Sequence, residues 1–215
     1  MSKVRTVNQL QEILDNEFSW RIKEIASLKI VVRTSTNLSK STAVRAAIPL
    51  LYGHWEGFIK NASNYYLEFI NGQSLKYKEL KSCFIVFGVK QKINNLINSK
   101  SSDLSISTLE FLRDELNEKA KLKIDSAIRT EFNLSSKVFE NIAKSIGLST
   151  RAYEARYNLI DESLLRRRNL IAHGEYLDVD SNGFRELADE ILQLLRSYKT
   201  DIENAVSLGD YKVSA

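Results

Sequence analysis

Hydrophobic residues recur along most of this chain at intervals of three and four, the spacing that places them on one face of an α-helix. The repeat is clearest near the two ends of the chain and predicts a first helix over Val7–Val32 and a last helix after Gly183. Its apolar positions are Leu10, Ile13, Leu14, Phe18 and Ile22 in the first helix and Phe184, Leu187, Ile191, Leu194, Tyr198 and Ile202 in the last. One proline and eight glycines in 215 residues leave little to interrupt long helices.

Between these ends the pattern predicts further helices separated by polar loops. Arg33–Ser41 is rich in Ser, Thr and Asn and predicts a loop, with Ser39 or Ser41 as the N-cap of the longest helix, which runs to about Ile70. Pro49 is expected to kink that helix or to mark a break in it. The other predicted elements are a helix over Lys76–Asn98, a loop over Ser99–Ser105, a short helix over Ile106–Ala120, an ambiguous segment over Lys121–Asn133 in which Ala127–Phe132 could be extended, and a helix over Ser135–Ile146. The prediction is a single all-α domain over residues 1–215, a bundle of roughly four core helices with additional short ones.

Composition and charge narrow the class of protein. The chain is 43% hydrophobic and 27% charged, as ordinary globular proteins are. A net charge of +4 and a pI of about 9.0 are a mild bias toward polyanionic partners. The single cysteine, Cys83, excludes an internal disulfide framework and fits a reducing cytosol. Because the polar N-terminus is unlike a signal peptide and no apolar run has membrane-spanning length, we expect a cytoplasmic protein without a membrane partner.

The most unusual polar cluster lies in a predicted helix near the C-terminus, in the sequence RRRNLIAHGE from Arg166 to Glu175. Counted at about 100° per residue, Arg168 points into an apolar arc, whereas Arg166 and Arg167 point toward solvent. The arc consists of Leu164, Leu165, Ile171 and Ala172. Since a guanidinium cannot lose its charge, Arg168 has to meet an anion or a polar cleft. This helix is expected to begin between Thr150 and Asp161.

His173 follows Arg168 by five residues and precedes Gly174, a natural helix stop. The helix dipole favours the charged imidazolium at this end. An arginine and a titratable imidazole within side-chain reach can stabilise a phosphorane and move a proton. The spacing alone favours a structural interpretation, in which Arg168 is a buried ion-pair residue, His173 caps the helix and Asn169 caps or bonds a neighbouring helix.

This string resembles the signature of the HEPN superfamily, in which an arginine and an asparagine are followed by three residues and a histidine; here these are Arg168, Asn169 and His173. The upstream string LLYGHWEGF, residues 50–58, resembles the early-helix motif of the MAE-type HEPN nucleases of prokaryotic conflict systems. The resemblance covers the chain from about Ser39 to the last helix. It implies a HEPN-like helical bundle, usually dimeric, and often a metal-independent ribonuclease, although some members only bind.

The resemblance implies a role for each residue of the C-terminal string. Arg168 would hold the scissile phosphate, His173 would act as general acid or base, and Asn169 would orient His173 or the RNA backbone. Arg166 and Arg167 would contact RNA phosphates, although adjacent arginines on a helix are most often only solvated.

Two residues of the early motif are candidates for a supporting role. Glu56 would pair with Arg168 and set its rotamer, or it simply partners another arginine. His54 would support the same site, although a histidine within an apolar helix is usually a satisfied core residue. Two histidines distant in sequence, with no Cys-His cluster, are a poor zinc signature, so no metal and no cofactor is expected.

These features predict an endoribonuclease that cleaves RNA through attack of the 2′-hydroxyl group. The resemblance further implies a homodimer and a role as a toxin or anti-phage defence effector, with a cognate antitoxin protein as a candidate partner. Two alternatives stay open. One is a non-catalytic HEPN-fold module that binds RNA or protein; the other is a structural helical protein in which Arg168 is a buried ion-pair residue.

Overall fold

The computed structural model describes residues 4–98, 101–124, 128–130 and 133–213, and these fold almost entirely into helices. The α-helices are α1 Val7–Thr34, α2 Asn37–Gly72, α3 Ser82–Asn98, α4 Ser102–Asp114, α5 Ser136–Ser145, α6 Arg167–Ala172 and α7 Ser181–Ser207. Three 3₁₀-helices and one π-helix lie between them, at Tyr77–Glu79, Glu115–Asn117, Arg151–Arg156 and, for the π-helix, Leu159–Arg166. Within the described ranges the only β-pairing is two isolated bridges, so the predicted all-α class is confirmed.

Helix α1 begins where the sequence predicts, because Thr6 and Gln9 form a capping box. The loop predicted over Arg33–Ser41 is wrong, since only Ser35 and Thr36 separate α1 from α2. Thr36 is the N-cap residue of α2 in place of Ser39 or Ser41, and its hydroxyl lies 3.0 Å from that of Ser39. The short polar side chains that favour loops also favour helix starts, which explains the error. Helix α2 continues through Pro49.

The middle of the chain departs most from the predicted elements. The backbone of residues 75–81 bonds to distant segments: the Ala120 N–H donates to the Leu75 carbonyl at 2.8 Å, and the Lys81 N–H to the Tyr211 carbonyl at 3.0 Å. Helix α3 therefore starts at Ser82, not at Lys76. Helix α4 occupies part of the predicted Ser99–Ser105 loop and ends before Ala120. Half of the candidate extended segment Ala127–Phe132 lies outside the described residues.

The core is formed by α1, α2, α7 and the π-helix; α6 packs on α2 at the edge of the core, and α5 closes one side of it. All six predicted apolar positions of α7 are buried. An aromatic cluster lies at the centre: the Phe139 ring is 5.2 Å from Trp55, 5.0 Å from Tyr153 and 5.7 Å from Tyr198. Truncation of such a ring costs about 3–5 kcal/mol. No helix within the described ranges combines the length and the apolarity that a membrane crossing requires.

Candidate functional site

The polar string lies on a helix that changes type just before the motif. Leu159–Arg166 is π-helical, and the ordinary α-helix α6 starts at Arg167. Ile160 and Leu164 anchor the π-helix in the core, where both are fully buried. Asp161 accepts hydrogen bonds from the Ser136 N–H at 2.7 Å and the Ser136 hydroxyl at 2.6 Å, which joins the π-helix to the start of α5. Single π-turns inside α-helices are frequent at functional sites.

This geometry corrects the predicted apolar arc. A π-turn contains more residues than an α-turn, so a count of about 100° per residue from Leu164 and Leu165 gives the wrong phase on α6. No residue of α6 is fully buried, and Ala172, predicted to face the core, is exposed. Arg168 and Ile171 are half-buried. The motif therefore lies at the surface of the bundle.

Arg168 is held by an aromatic ring and two amides. Its guanidinium carbon lies 4.2 Å from the centre of the Tyr52 ring. Its Nη1 donates to the side-chain oxygens of Asn169 at 2.6 Å and Asn133 at 3.0 Å. Cation–π contacts of this kind contribute about 0.5–2 kcal/mol. Together the three contacts restrain the orientation of the guanidinium and give Asn169 a direct role in positioning it.

Tyr52 connects Arg168 with Glu56. The buried Tyr52 hydroxyl accepts the Leu134 N–H at 2.6 Å. Burial raises the pKa of Tyr52 to about 12; the Leu134 N–H opposes this shift, while the nearby Glu56 carboxylate adds to it. Tyr52 is therefore protonated at neutral pH. Glu56, which is half-buried, reaches the Arg168 site through this tyrosine.

His173 is the C-cap residue of α6, and its side chain is exposed. Gly174 follows with a φ of +77°, and its N–H donates to the Ile171 carbonyl at 3.1 Å, while the Glu175 N–H donates to the Leu170 carbonyl at 2.9 Å. This is a Schellman motif, which only glycine enters without strain. Arg45 of α2 then donates from Nη1 to the Glu175 carbonyl at 2.7 Å. The imidazole is thus presented to solvent at a defined helix end.

The structure separates His54 from this group. His54 is 5% exposed and faces α1, where its Nε2 lies 3.4 Å from Glu24 and its ring 5.3 Å from Trp20. Burial lowers the pKa of His54, opposed by the nearby Glu24. Positions two apart on a helix are about 200° apart, so His54 faces away from Tyr52 and Glu56. The predicted role of His54 in supporting Arg168 is not compatible with this position.

The two flanking arginines differ in their surroundings. Arg166 is exposed and pairs with Glu162 at 2.8 Å, one helical turn earlier. Such an exposed pair contributes little to stability, which leaves the side chain able to exchange its partner. Arg167 is half-buried. Among the residues that the structure describes, no three His, Cys, Asp or Glu side chains come close enough together to hold a metal ion.

Sequence reasoning missed Tyr52, Asn133 and Arg45. Asn133 and Arg45 meet the motif from positions 35 and 130 residues away, and no local pattern predicts such pairs. Tyr52 carried one usable signal, because it lies one helical turn before Glu56 and therefore on the same face of α2.

Comparison with known proteins identifies the family of the chain. A model of the RiboL-PSP-HEPN family matches residues 16–204, a range that begins within α1, ends within α7 and includes both polar motifs. No curated protein and no solved structure matches the chain. The match confirms the HEPN superfamily and the HEPN-like bundle, whereas the resemblance to the MAE-type group stays a prediction. The chain belongs to the RiboL-PSP-HEPN family.

Proposed function

We propose that this protein is a metal-independent endoribonuclease in which Arg168 and His173 act on one phosphodiester of RNA. The observation that carries the proposal is that Arg168 is fixed on Tyr52 and by Asn169, while His173 is exposed five residues later at the end of the same helix. Five residues advance a helix by about 7.5 Å, a span that two long side chains can close around a phosphate. Family membership supports a nuclease or RNA-binding module.

In this mechanism the nucleophile is part of the substrate. His173 takes the proton of the 2′-hydroxyl as the O2′–P bond forms, and the P–O5′ bond breaks as the leaving oxygen gains a proton. Arg168 holds the non-bridging oxygens and stabilises their charge in the transition state. The products are a 2′,3′-cyclic phosphate and a 5′-hydroxyl. A 2′-hydroxyl is held beside the phosphorus by covalent geometry, which favours it over water.

The reaction needs two proton transfers, and we propose that a twofold homodimer supplies them. A second copy would bring a second His173 to the same cleft. The surface around the motif supports this: no residue of α6 is fully buried, and Tyr176, just beyond it, is 82% exposed. Light scattering at micromolar concentration should give about twice the chain mass of 24.6 kDa. A monomer that cleaves RNA at full rate would contradict the dimeric mechanism.

The chemical proposal is tested with an RNA oligonucleotide that carries one 2′-deoxy residue at the mapped cleavage position, in excess EDTA. We expect cleavage to stop at that position and to continue elsewhere, with cyclic phosphate ends. Cleavage at the deoxy position, or activity that requires added Mg²⁺ or Mn²⁺, would contradict the mechanism. RNA binding without cleavage would indicate the non-catalytic module instead.

The biological role that we propose is that of a toxin or anti-phage effector, controlled by a cognate antitoxin protein. The test is induced expression in a bacterial host, with His173→Ala as the matched control. Growth arrest by the wild-type chain and not by His173→Ala would support a toxic ribonuclease. Equal growth with both chains, each shown to be soluble and present at the same level, would contradict the toxin role.

A further inference from the structure

A cavity of about 260 Å³ lies between the second half of α1 and the first turn of α7, outside the cluster around Arg168. We call it the α1–α7 cavity. Its lining combines basic, amide, hydroxyl and apolar side chains, among them Ala26, Lys29, Ile30, Arg33, Asn182 and Arg185. Nothing in the mechanism above uses it.

The charged groups of the cavity differ in how far they are neutralised. Lys29 pairs with Asp189 at 2.5 Å. Arg33 and Arg185 are exposed, and neither forms an ion pair with any residue in the described part of the chain. Two guanidinium groups beside one concave surface form a site for an anion, and a planar guanidinium fits the paired oxygens of a phosphate.

The remaining lining matches a nucleobase. Ile30 is 52% exposed and Phe184, also in the lining, closes the cavity toward the core, so an apolar surface lies beside the two arginines. Ser181 and Asn182 contribute a hydroxyl and an amide at the edge. Proteins bind the unstacked bases of single-stranded RNA by stacking on aromatic rings or guanidinium planes and by hydrogen bonds to the base edges, and the two arginines, Ser181 and Asn182 supply groups of the last two kinds beside Ile30.

The cavity lies at the same end of the bundle as His173. Arg45 binds the Glu175 carbonyl at 2.7 Å, so the end of α6 meets the N-terminal part of α2, which directly follows the end of α1. Only six residues lead from Glu175 to Ser181 at the cavity, a path of at most about 20 Å even when fully extended. A strand bound at His173 can therefore continue into the cavity.

We infer that the α1–α7 cavity binds one nucleotide of the RNA strand that flanks the scissile phosphate, with Arg33 and Arg185 on its phosphate and Ile30 against its base. This inference rests on the proposed ribonuclease function. It gives the site a second point of contact with the strand, separate from the chemistry at His173.

The experiment measures RNA affinity against salt concentration with a labelled single-stranded oligonucleotide, in a His173→Ala background that prevents cleavage. For single strands each lost phosphate contact lowers the slope of log affinity against log salt by about 0.7, so the double variant Arg33→Gln and Arg185→Gln, which releases one phosphate, should lower it by about 0.7. The matched control is Arg5→Gln with Arg113→Gln, which removes the same charge outside the cavity. Ala26→Phe fills the cavity without a change of charge and should weaken binding about tenfold.

The outcomes separate this inference from the proposed function. RNA binding with an unchanged slope in the Arg33 and Arg185 variant overturns the cavity inference and leaves the ribonuclease proposal intact. A wild-type chain that neither binds nor cleaves RNA overturns both. The second arm of the experiment is a titration with a nucleoside monophosphate. If the double variant no longer binds the nucleoside monophosphate but binds RNA as before, the cavity is a site for a free nucleotide, and the inference is overturned.

Discussion

Two arginines stack on aromatic rings at the same distance of 4.2 Å, on opposite sides of α2, and each is accompanied by one of the two histidines of the chain. Arg21 lies over Trp20 on the α1 side, with His54 beside it. Arg168 lies over Tyr52 on the α6 side, with His173 near it. The residue types are alike, so the difference between the two sides has to come from burial and partners.

On the α1 side the contacts of Arg21 are enclosed within the fold. Arg21 is 3% exposed, pairs with Glu17 at 2.7 Å and donates from Nε to the His54 carbonyl at 3.4 Å. Gly57 lets the guanidinium approach, since a Cβ there would lie 3.0 Å from Arg21 Nη2. Burial lowers the pKa of Arg21, although Glu17 opposes the shift. A charge enclosed in this way has no access to a ligand.

On the α6 side the same contacts leave the site open. Arg168 is half-buried and His173 is exposed at the end of α6. The comparison teaches that an aromatic ring and polar partners restrain an arginine in both places. Access to solvent is what makes Arg168 a candidate for phosphate binding.

The largest expected effect is on catalysis at the α6 side. His173→Ala and Arg168→Ala should each lower the cleavage rate about 100- to 10,000-fold, because they remove the proton carrier and the phosphate-binding group. His173→Ala should change the free energy of unfolding by less than about 0.5 kcal/mol, since the side chain is exposed. Cleavage assays paired with thermal melts measure both. Wild-type cleavage by His173→Ala would show that the catalytic assignment is wrong.

The opposite result is expected for Arg21. Arg21→Ala leaves Glu17 without its buried partner and should lower the free energy of unfolding by roughly 3 kcal/mol. The cleavage rate per folded molecule should stay near that of the wild type, because Arg21 lies on the other side of α2. Urea unfolding measures the stability, and the cleavage rate is measured at urea concentrations at which the variant is still folded. A large loss of activity in fully folded protein would mean that the two sides are coupled.

A smaller effect is expected from the residues behind Arg168. Glu56→Gln should weaken cleavage about tenfold, less than either motif substitution, because it acts on Arg168 only through Tyr52. Tyr52→Phe keeps the ring under Arg168 but leaves the Leu134 N–H without its acceptor, at a cost of about 1 kcal/mol in stability. The two variants are compared in one cleavage assay. A loss of cleavage rate in Glu56→Gln as large as that in His173→Ala would indicate a direct role for Glu56.

The smallest expected effect is a pH dependence of stability that belongs to His54. Its pKa is lowered by burial, so the unfolded chain binds a proton that the folded chain resists. The free energy of unfolding should therefore be highest above about pH 6.5, the unperturbed value, and fall as the pH drops below it. His54→Phe should flatten this slope, and an unchanged slope in that variant would assign the pH dependence to other groups. Unfolding curves between pH 5 and 8 decide between them.

The parts of the fold that the sequence predicted well are those with a long uninterrupted repeat. The six apolar positions of α7 are all buried, because a helix of 27 residues repeats the same spacing over many turns. The predicted start of α2 is wrong because Thr36 and its polar neighbours are as common in loops as at helix N-caps. The predicted bounds of the middle elements are wrong where backbone groups bond to distant segments and not within a helix, as Ala120 does with Leu75.

For the candidate site, the sequence identified the motif and not its supports. Arg168, Asn169 and His173 are adjacent in the sequence, so their grouping needs no tertiary information. The contacts of Arg168 with Tyr52 and Asn133 depend on how distant segments pack. The position of His54 could be predicted from the sequence, since the same helical count that places Glu56 beside Tyr52 places His54 on the opposite face of α2.

The π-helix before α6 sets the rotational register of the motif. Its eight residues, Leu159–Arg166, turn less per residue than those of an α-helix. If the same eight residues were wound as an α-helix at about 100° per residue, every later residue of α6 would be rotated further around the axis. Ile160 would stay in the core, while Arg168 would leave the face of Tyr52. The winding of this segment, and not the sequence of the motif alone, therefore places Arg168 on its aromatic support.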